Sequence, residues 1–543
     1  MTNNETQKLE AVMSSFATNA SPGVVVSVQR NGMTLLRRGY GLASLDSGLV
    51  NTPTTKMRIG STTKHFCCAL ALMLRDEGKL SIDEPVARWL PELPSSQGSR
   101  TIRQLMTHTG GMRDYLDLSL LSNGLTVVPA EAAFDYQCRQ QEENFEPNAQ
   151  FIYNNGGYRL LSMVIERVLD MPLAQAMHDY LFQPLSMYDT SLWATDLDPL
   201  SGSATTHLAH PAGNFTKSQF PSVILGEGGI ASTLDDMQRW LHHLVSPSLW
   251  SRAVSDEMLM PTRLSNGYVN PYGYGLIQES WRGIPVLHHA GGVVGGSCQM
   301  LAAPEHGIGV IVMTNRSDLG APDIAQKLLF SLLEDELTAD AVPADPQLVE
   351  SLGGDYYCAS SGRYFAIERR DDSLFLINFG MPLPLLQAEH NKLRVNLLSI
   401  LVLEIEAILD ASGSVTGIKV MEQGTTHLCE RVAAPVTAAS TITPFSGNWR
   451  CDEMGADIVV EKVVENAAKD SEQGLLRIAG LYGRNVFNLQ PLREDVCLLI
   501  SRDPHLPMFG TLRLGKGAAG QRELVLDTSR TRQLRLQECP VHG

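Results

Sequence analysis

One tetrapeptide has the residue types and the spacing of an activated serine nucleophile. Ser61-Thr62-Thr63-Lys64 has the form S-x-x-K, and it opens an apolar segment that predicts a buried helix over residues 61–75. The spacing places a hydroxyl and an amine one turn apart on the same helix face. A serine hydroxyl is a weak nucleophile at neutral pH, but a buried lysine with a lowered pKa can accept its proton. We therefore predict that Ser61 becomes acylated and that Lys64 handles its proton.

A second element, Tyr153-Asn154-Asn155, has the form Y-x-N and precedes an apolar segment that predicts a helix. A tyrosine held near a lysine can act as a phenolate base for the serine and then as an acid for the leaving group. Asn155 would direct its amide at the lysine or at the substrate. A competing Y-x-N at residues 268–270 is flanked by turn residues and predicts a surface turn. We therefore predict that Tyr153 is catalytic and that Asn155 contributes to substrate binding.

The third element, His289-Ala290-Gly291, has the form H-x-G and continues through further glycines into a strand. Small residues there would allow the substrate backbone to lie against the strand, whose N–H groups could complete an oxyanion hole with the Ser61 amide. Another H-x-G, at residues 108–110, follows a short helical turn, and we predict that it supports a loop. His289 and Gly291 are our candidate substrate-binding residues.

The elements that must position these motifs are strands at both ends of the first domain and helices between them. Alternation around Asn31-Gly32 predicts a hairpin. The strands predicted on either side of residues 304–307 form a second hairpin. Helical segments are predicted at 157–168 and 234–245. This order predicts one antiparallel sheet closed by the terminal segments, with a helical lobe.

Two linker-like runs, residues 338–346 and 433–440, divide the rest of the chain. The blocks after them show short strands and turns, and they begin alike, with a glycine, an aromatic residue two positions later and then a cysteine (354–358 and 447–451). We interpret them as two small antiparallel β domains, each a barrel. The predicted fold class is α+β, with domains at residues 1–337, 346–432 and 444–540.

The composition argues against several classes of partner. Hydrophobic residues make up 43% of the chain and charged residues 19%, which is ordinary for a globular protein. A net charge of −16 argues against a nucleic-acid partner, because binding phosphates requires a concentrated basic face. The longest apolar stretch, residues 397–409, contains two glutamates and is too short to span a bilayer. We expect neither a nucleic-acid nor a membrane partner.

The absence of certain sequence motifs predicts the cellular location of the protein and its cofactor content. The N-terminus shows no basic and apolar leader, and the nine cysteines are scattered, so we expect a reducing, cytoplasmic location. The sequence contains no H-E-x-x-H zinc motif, no phosphate-binding loop of the P-loop form and no G-x-S-x-G elbow. We expect no metal and no cofactor.

The three motifs, in this order and at these separations, resemble the serine β-lactamase and penicillin-binding peptidase superfamily. The resemblance covers roughly residues 10–335 and includes residues 105–112 and 272–275. Within the superfamily the chain is most similar to the bacterial D-aminopeptidases, through residues 145–158, residues 228–232 and the two trailing β domains. The resemblance implies an acyl-enzyme mechanism that releases N-terminal D-amino acids. It also implies a homodimer in which a loop of the last domain narrows the active site.

The sequence departs from this resemblance at two positions. Asn148 stands where the family usually has glycine, and asparagine tolerates the left-handed backbone that such a position requires. Gly60 stands where these enzymes have a cysteine, so sensitivity to thiol reagents does not carry over.

The expected substrate is a small peptide or amide with a free N-terminal amine. The chain has no K-T-G or K-S-G motif, whose lysine binds a substrate carboxylate in penicillin-binding enzymes, and a neutral His289 would tolerate an ammonium group. Candidate partners for that ammonium are Glu227, Asp452 and Glu453. Two alternatives remain open: a carboxylesterase or β-lactamase-like hydrolase that uses the same motifs, and a non-catalytic scaffold of the same fold.

Overall fold

A computed structural model describes most of the chain. The described residues are 2–17, 20–338, 345–378, 381–389, 391–395, 397–398, 402–432, 442–464, 472–506, 508–517 and 519–539. Both predicted linker runs fall largely outside these ranges, so the domain boundaries placed in them remain predictions.

The first domain is built on a six-stranded antiparallel sheet. In spatial order the strands are Ile277–Trp281, Ile284–Val293, Gly296–Ala303, Ile308–Thr314, Val24–Arg30 and Met33–Tyr40. N-terminal and C-terminal segments meet where Val24 pairs with Thr314, as the sequence pattern predicts. The turn between the last two strands has positive φ at Asn31 and Gly32, so the predicted hairpin forms as a tight turn.

Helices cover both faces of this sheet because the strand side chains alternate between two apolar cores. Val24, Val26 and Val28 pack against the helices Thr2–Met13 and Ala321–Leu333. Val25 faces the opposite core, which contains the helix Lys64–Asp76, here called the nucleophile helix, and the helix Leu234–Val245. The nucleophile helix lies between the sheet and the helical lobe, and its first nine residues are all buried.

The remaining helices of the first domain form the lobe on that second face. They are Ser95–Gly98, Ile102–Met106, Tyr115–Asn123, Ala132–Arg139, Asn155–Leu169, Leu173–Met177 and Arg252–Met258, with a π-helical turn at His178–Phe182. Four short strand groups complete the domain: Leu42–Ser44 with Leu49–Val50; Met57–Arg58 with Ile230–Ser232 and Ser191–Leu192; His207–Ala209 with Phe215–Lys217; and Thr262–Arg263 with Val269–Asn270.

Two closed eight-stranded antiparallel barrels follow. The first comprises Gly354–Cys358, Arg363–Arg370, Ser373–Asn378, Met381–Glu389, Lys392–Val395, Leu403–Leu409, Val415–Glu422 and Thr425–Arg431, and the helix Pro346–Leu352 precedes it. The second comprises Gly447–Cys451, Ala456–Val464, Glu472–Ala479, Arg484–Arg493, Val496–Ser501, Phe509–Lys516, Arg522–Asp527 and Leu534–Glu538. These barrels and the sheet with its helical lobe confirm the predicted α+β fold class.

The two barrels begin with equivalent residues. Tyr356 and Trp449 each stand two positions after a glycine, in a first strand that pairs with the last strand of the same barrel. Each aromatic side chain donates a hydrogen bond to the carbonyl four residues earlier, Tyr356 to Leu352 at 2.7 Å and Trp449 to Phe445 at 3.1 Å. The similar openings noted in the sequence therefore correspond to similar local structures.

No helix in the described part of the chain is long and apolar enough to cross a membrane.

Candidate active site

Ser61 lies in a 3-10 turn, Gly60–Thr63, and the nucleophile helix begins directly after it at Lys64. The predicted helix over 61–75 therefore starts one turn later than expected. Gly60 has φ of +52°, and a Cβ there would lie 2.8 Å from backbone atoms of Gly292. This close approach explains why glycine suits the position before the serine better than a larger residue.

The H-x-G strand packs directly against the serine turn. A methyl group at Gly291 would overlap the carbonyl oxygen of Ile59 and would lie 3.0 Å from the Ser61 nitrogen. The neighbouring strand, Ile277–Trp281, pairs along this edge only as far as His288. The edge of residues 289–293 therefore adjoins the serine turn, and Ala290, Gly291 and Gly292 line the cavity above Ser61.

Lys64 is fully buried and its amine makes three hydrogen bonds. Nζ lies 3.1 Å from Ser61 Oγ, 2.9 Å from Asn155 Oδ1 and 2.6 Å from the carbonyl oxygen of Glu227. Burial lowers the pKa of Lys64 to about 7, against the opposing effect of the Glu227 and Asp114 carboxylates. A large fraction of the amine is therefore neutral near pH 7 and able to accept the Ser61 proton.

Tyr153 lies beside the same amine. Lys64 Nζ is 4.7 Å from the centroid of the Tyr153 ring, which is buried. The Tyr153 hydroxyl forms no hydrogen bond of regular geometry with any described residue, yet Ser61 is the largest influence that lowers its pKa. Burial outweighs that influence and raises the pKa of Tyr153 well above its usual value. Tyr153 is therefore a neutral phenol in the resting protein.

Asn155 links Lys64 to a buried carboxylate. Its Oδ1 accepts from Lys64, and its Nδ2 donates to Asp114 Oδ2 at 2.9 Å. Asp114 also caps the helix Tyr115–Asn123, because its Oδ1 accepts from the Leu116 N–H at 3.1 Å. The carboxylate fixes which end of the amide faces the lysine. The structure thus places Asn155 as a positioning group for Lys64 that also lines the cavity.

His108 and Tyr272 hold the Y-x-N and H-x-G elements together. The backbone N–H of Asn154 donates to His108 Nδ1 at 3.0 Å, so the proton of a neutral His108 is on Nε2, 3.1 Å from the Tyr272 hydroxyl. The Tyr272 hydroxyl lies 3.3 Å from His289 Nε2, and His289 Nδ1 donates to the Ala290 carbonyl. These contacts form one continuous buried chain behind the cavity.

His289 was predicted to contact the substrate, and the structure places its side chain behind the cavity wall. His289 is fully buried and is absent from the cavity lining, because its ring is turned towards Tyr272. Burial lowers the pKa of His289 to about 3, so the ring is neutral as expected. Its contribution is to position the strand that presents Gly291.

Sequence reasoning missed His108, Tyr272 and Asp114 as parts of this network. His108 and Tyr272 lie within segments whose resemblance to the superfamily was evident, and that was the available signal. The competing Y-x-N at 268–270 begins where the exposed turn of a short hairpin ends, with Tyr268 half-buried and Asn270 buried.

The three candidate partners for an ammonium group have different surroundings. Glu227 lines the cavity, but its Oε1 accepts from the Tyr115 hydroxyl at 2.8 Å and its side chain is 2% exposed. Glu453 pairs with the buried Arg113 between two domains. Asp452 is an exposed partner of Arg450. Of the three, only Glu227 lies at the site.

The cavity above Ser61 has a volume of about 760 Å³. All three domains contribute to its walls. Ser61, Tyr153, Asn155 and Glu227 come from the first domain, Pro382, Leu383 and Leu397 from the first barrel, and Arg530 from the second barrel. The resemblance had implied a loop of the last domain at the active site, but no motif predicted the contribution of the first barrel.

The site combines a serine and a lysine at the start of a buried helix with a tyrosine beside them and a sheet edge next to the serine. This is the architecture of the penicillin-recognising serine enzymes. The family model described as Beta-lactamase matches residues 5–330, which is more than half of the chain, and the chain belongs to that family. The superfamily resemblance seen in the sequence is thereby confirmed.

Several relatives are described as D-aminopeptidases. The protein from Brucella ovis is 28% identical over 336 residues, which cover 61% of this chain and 64% of the relative. The protein from Brucella anthropi is 28% identical over 320 residues, which cover 57% of this chain and 58% of the relative. Each match therefore spans less than two thirds of the relative's length.

Solved structures share the fold. The octameric penicillin-binding protein homologue from Pyrococcus abyssi has a TM-score of 0.55 at 23% identity, covering 78% of this chain and 99% of its own. A D-amino acid amidase from Ochrobactrum anthropi SV3 has a TM-score of 0.52 at 21% identity, covering 61% of this chain and 99% of its own.

Proposed function

We propose that this protein is a serine hydrolase that releases N-terminal D-amino acids from short peptides, amides or esters through an acyl-enzyme on Ser61. The observation that carries the proposal is the hydrogen bond of 3.1 Å between Ser61 Oγ and the buried amine of Lys64, whose pKa is lowered to about 7. A neutral amine at that distance is a competent general base.

In the proposed reaction, Lys64 accepts the Ser61 proton as Oγ attacks the scissile carbonyl carbon. The Ser61 N–H and an N–H of the strand at residues 289–293 stabilise the oxyanion. Tyr153 delivers a proton to the leaving amine and is reprotonated from Lys64, so its role is that of an acid. Water, activated by the same groups in reverse, then hydrolyses the ester on Ser61.

The choice of acyl group is supported by the D-aminopeptidases of Brucella, which share 28% identity with this chain. The neutral His289 supports it too, because no lysine stands on this strand to repel a substrate ammonium. The homodimer and the cytoplasmic location implied by the sequence stay proposals alongside it.

A panel of substrates tests the proposal. Alanine p-nitroanilides of D and L configuration, a short-chain nitrophenyl ester and a chromogenic cephalosporin would be compared on the purified full chain. We expect a kcat/KM for the D-anilide at least 100-fold above that for the L-anilide, a difference of about 2.7 kcal/mol in transition-state stabilisation. Turnover of the ester without turnover of the D-anilide would contradict the proposal and would favour a carboxylesterase.

A further inference from the structure

The first barrel contains two cysteines directly opposite each other on neighbouring strands. Its first and last strands pair antiparallel, with Tyr357 opposite Glu430. The next pair in this register is Cys358 and Cys429, and both side chains belong to the core of the barrel. Opposed residues of antiparallel strands have Cα atoms about 4.5–5.5 Å apart, which lies within the range of about 4.4–6.8 Å that a disulfide spans. The two thiols can therefore be joined without a change of fold.

The side chains around Cys358 favour its thiolate. The Cys429 thiol is the largest influence that lowers the pKa of Cys358, and His427 and Ser360 add to it, so this pKa lies well below its usual value despite burial. Burial lowers the pKa of His427, but contacts with Cys358 and Glu422 outweigh burial and raise that pKa. His427 Nε2 lies 3.4 Å from Glu422 Oε2. Cys358 is thus a thiolate beside an imidazolium.

The two cysteines are suited to different steps of an oxidation. Contact with Cys358 and burial both raise the pKa of Cys429, so Cys429 remains a thiol. Its sulfur lies 3.8 Å from the carbonyl oxygen of His427. Because the thiolate is the nucleophilic form of a cysteine, Cys358 reacts first and Cys429 resolves the product.

The sulfur of Cys358 lies directly beneath an exposed turn. Cys358 itself is buried, but its Sγ is 3.2 Å from Oγ of Ser360, and Ser360 and Ala359 are both exposed. In the same turn, Ser361 Oγ lies 2.9 Å from His427 Nδ1. An oxidant as small as hydrogen peroxide reaches the sulfur when the Ser360 side chain rotates away.

The second barrel has a cysteine at the corresponding position, in different surroundings. Arg450 pairs with Gln537 there, so the residue opposite Cys451 is Leu536. Burial raises the pKa of Cys451 to about 12. Cys451 is therefore an inert thiol in the same place of the repeated fold, and it serves as an internal control for Cys358.

We propose that Cys358 and Cys429 are a peroxide-sensitive pair, oxidised to a disulfide that joins the first and last strands of the first barrel. The Cys358 sulfur attacks one oxygen of hydrogen peroxide, the O–O bond breaks, and the departing hydroxide takes a proton from His427 to become water. The product is a sulfenic acid on Cys358. The Cys429 sulfur then attacks the Cys358 sulfur, the S–S bond forms, the S–O bond breaks, and the departing hydroxide takes the Cys429 proton. Two cysteines are oxidised and one peroxide is reduced to two molecules of water.

This chemistry is independent of hydrolysis at Ser61, so it is tested on the reduced full chain without substrate. After treatment with hydrogen peroxide, free thiols would be blocked with iodoacetamide, and the unreduced digest would be mapped by mass spectrometry. We expect linked peptides that contain Cys358 and Cys429, formed at least about tenfold faster than any oxidation of Cys451. In Cys429→Ser we expect dimedone to trap a sulfenic acid on Cys358. Oxidation should raise the Tm of the wild type, because the disulfide restricts the unfolded chain, and should not raise that of Cys429→Ser.

His427→Gln tests the part played by the imidazolium, and it should slow the oxidation of Cys358 about tenfold or more. Cys451→Ser is the matched control and should keep the wild-type rate. Equal rates of oxidation at Cys358 and Cys451, or a disulfide from Cys358 to a cysteine other than Cys429, would overturn the inference. Both of these outcomes are read on the wild-type protein, so they do not depend on the folding of a variant.

Discussion

At the scale of single residues, Lys64 decides what the site can do. An ammonium group with an ordinary pKa would be protonated and unable to accept a proton from Ser61. Burial in the helical lobe lowers the pKa of Lys64 to about 7, and the carboxylates of Glu227 and Asp114 prevent a larger fall. The balance leaves a base that is useful near neutral pH.

This balance predicts the pH dependence of activity. Because the neutral amine is the active form, kcat/KM for the D-anilide should rise with pH through a limb near the pKa of Lys64, about 7. Asp114→Asn removes a carboxylate that raises this pKa, so the limb should move to lower pH by roughly half a unit to one unit. Asp318→Asn, on the cavity rim, should leave the limb in place. A limb that stays fixed or moves to higher pH in Asp114→Asn would contradict this role of Lys64.

Substitution of Tyr153 can distinguish an effect on catalysis from an effect on folding stability. Its hydroxyl makes no regular hydrogen bond within the described part of the protein, so Tyr153→Phe should change the free energy of unfolding by less than about 1 kcal/mol. Loss of the acid should lower kcat by about 10²–10⁴-fold. Thermal unfolding and anilide kinetics on the same preparation measure both effects. Retained activity would remove Tyr153 from the mechanism.

At the scale of elements, the contact between the serine turn and the strand Ile284–Val293 sets the geometry of the site. A Cβ at Gly291 would overlap the Ile59 carbonyl, whereas a Cβ at Gly292 would have no atom within 4 Å. Gly291→Ala should therefore lower the Tm by several degrees, as expected for a loss of about 1–3 kcal/mol from overpacking. Gly292→Ala should keep the Tm of the wild type. Equal Tm values for the two variants would argue against close packing of strand and turn.

The sequence predicted helices and strands well where their formation depends on neighbouring residues in the chain. Alternation and the Asn31-Gly32 turn pair predicted the first hairpin, and continuous apolar residues predicted the nucleophile helix, because both patterns follow from backbone periodicity. The direction of the His289 ring was not predictable, since it depends on Tyr272 and His108 from distant segments. The same limit applies to Arg530, which reaches Tyr153 because residues 528–533 of the second barrel are anchored on the first domain.

At the scale of the whole molecule, the second barrel and the first domain share one apolar core. Tyr115, Leu118, Leu121, Ala133 and Tyr136 of the first domain pack into the same cluster as Trp449 and the other barrel residues. The barrel is therefore part of the folding unit that supports the site, in addition to supplying Arg530. The similar starts of the two barrels predicted a repeat, but not that helices of the first domain would pack into the core of one barrel.

A truncated chain tests this dependence. Ending the protein after residue 432 would expose that apolar cluster and would leave the buried Arg113 with Glu142 alone, because Glu453 and the carbonyls of Arg532 and Gln533 would be lost. We expect a lower Tm, because each Å² of buried apolar surface contributes about 25 cal/mol to the free energy of unfolding. We also expect the exposed cluster to bind a hydrophobic dye, and we expect anilide turnover to be lost. A truncated chain with the Tm and activity of the full chain would show that the barrel is dispensable.

The central claim is that Ser61 forms a covalent ester with the acyl group of a D-amino acid. Mass spectrometry of protein quenched in acid during turnover of D-alanine p-nitroanilide tests it most directly. We predict a D-alanyl adduct on the peptide that contains Ser61, and neither adduct nor turnover in Ser61→Ala. An adduct on another residue, or turnover that persists in Ser61→Ala, would contradict the account.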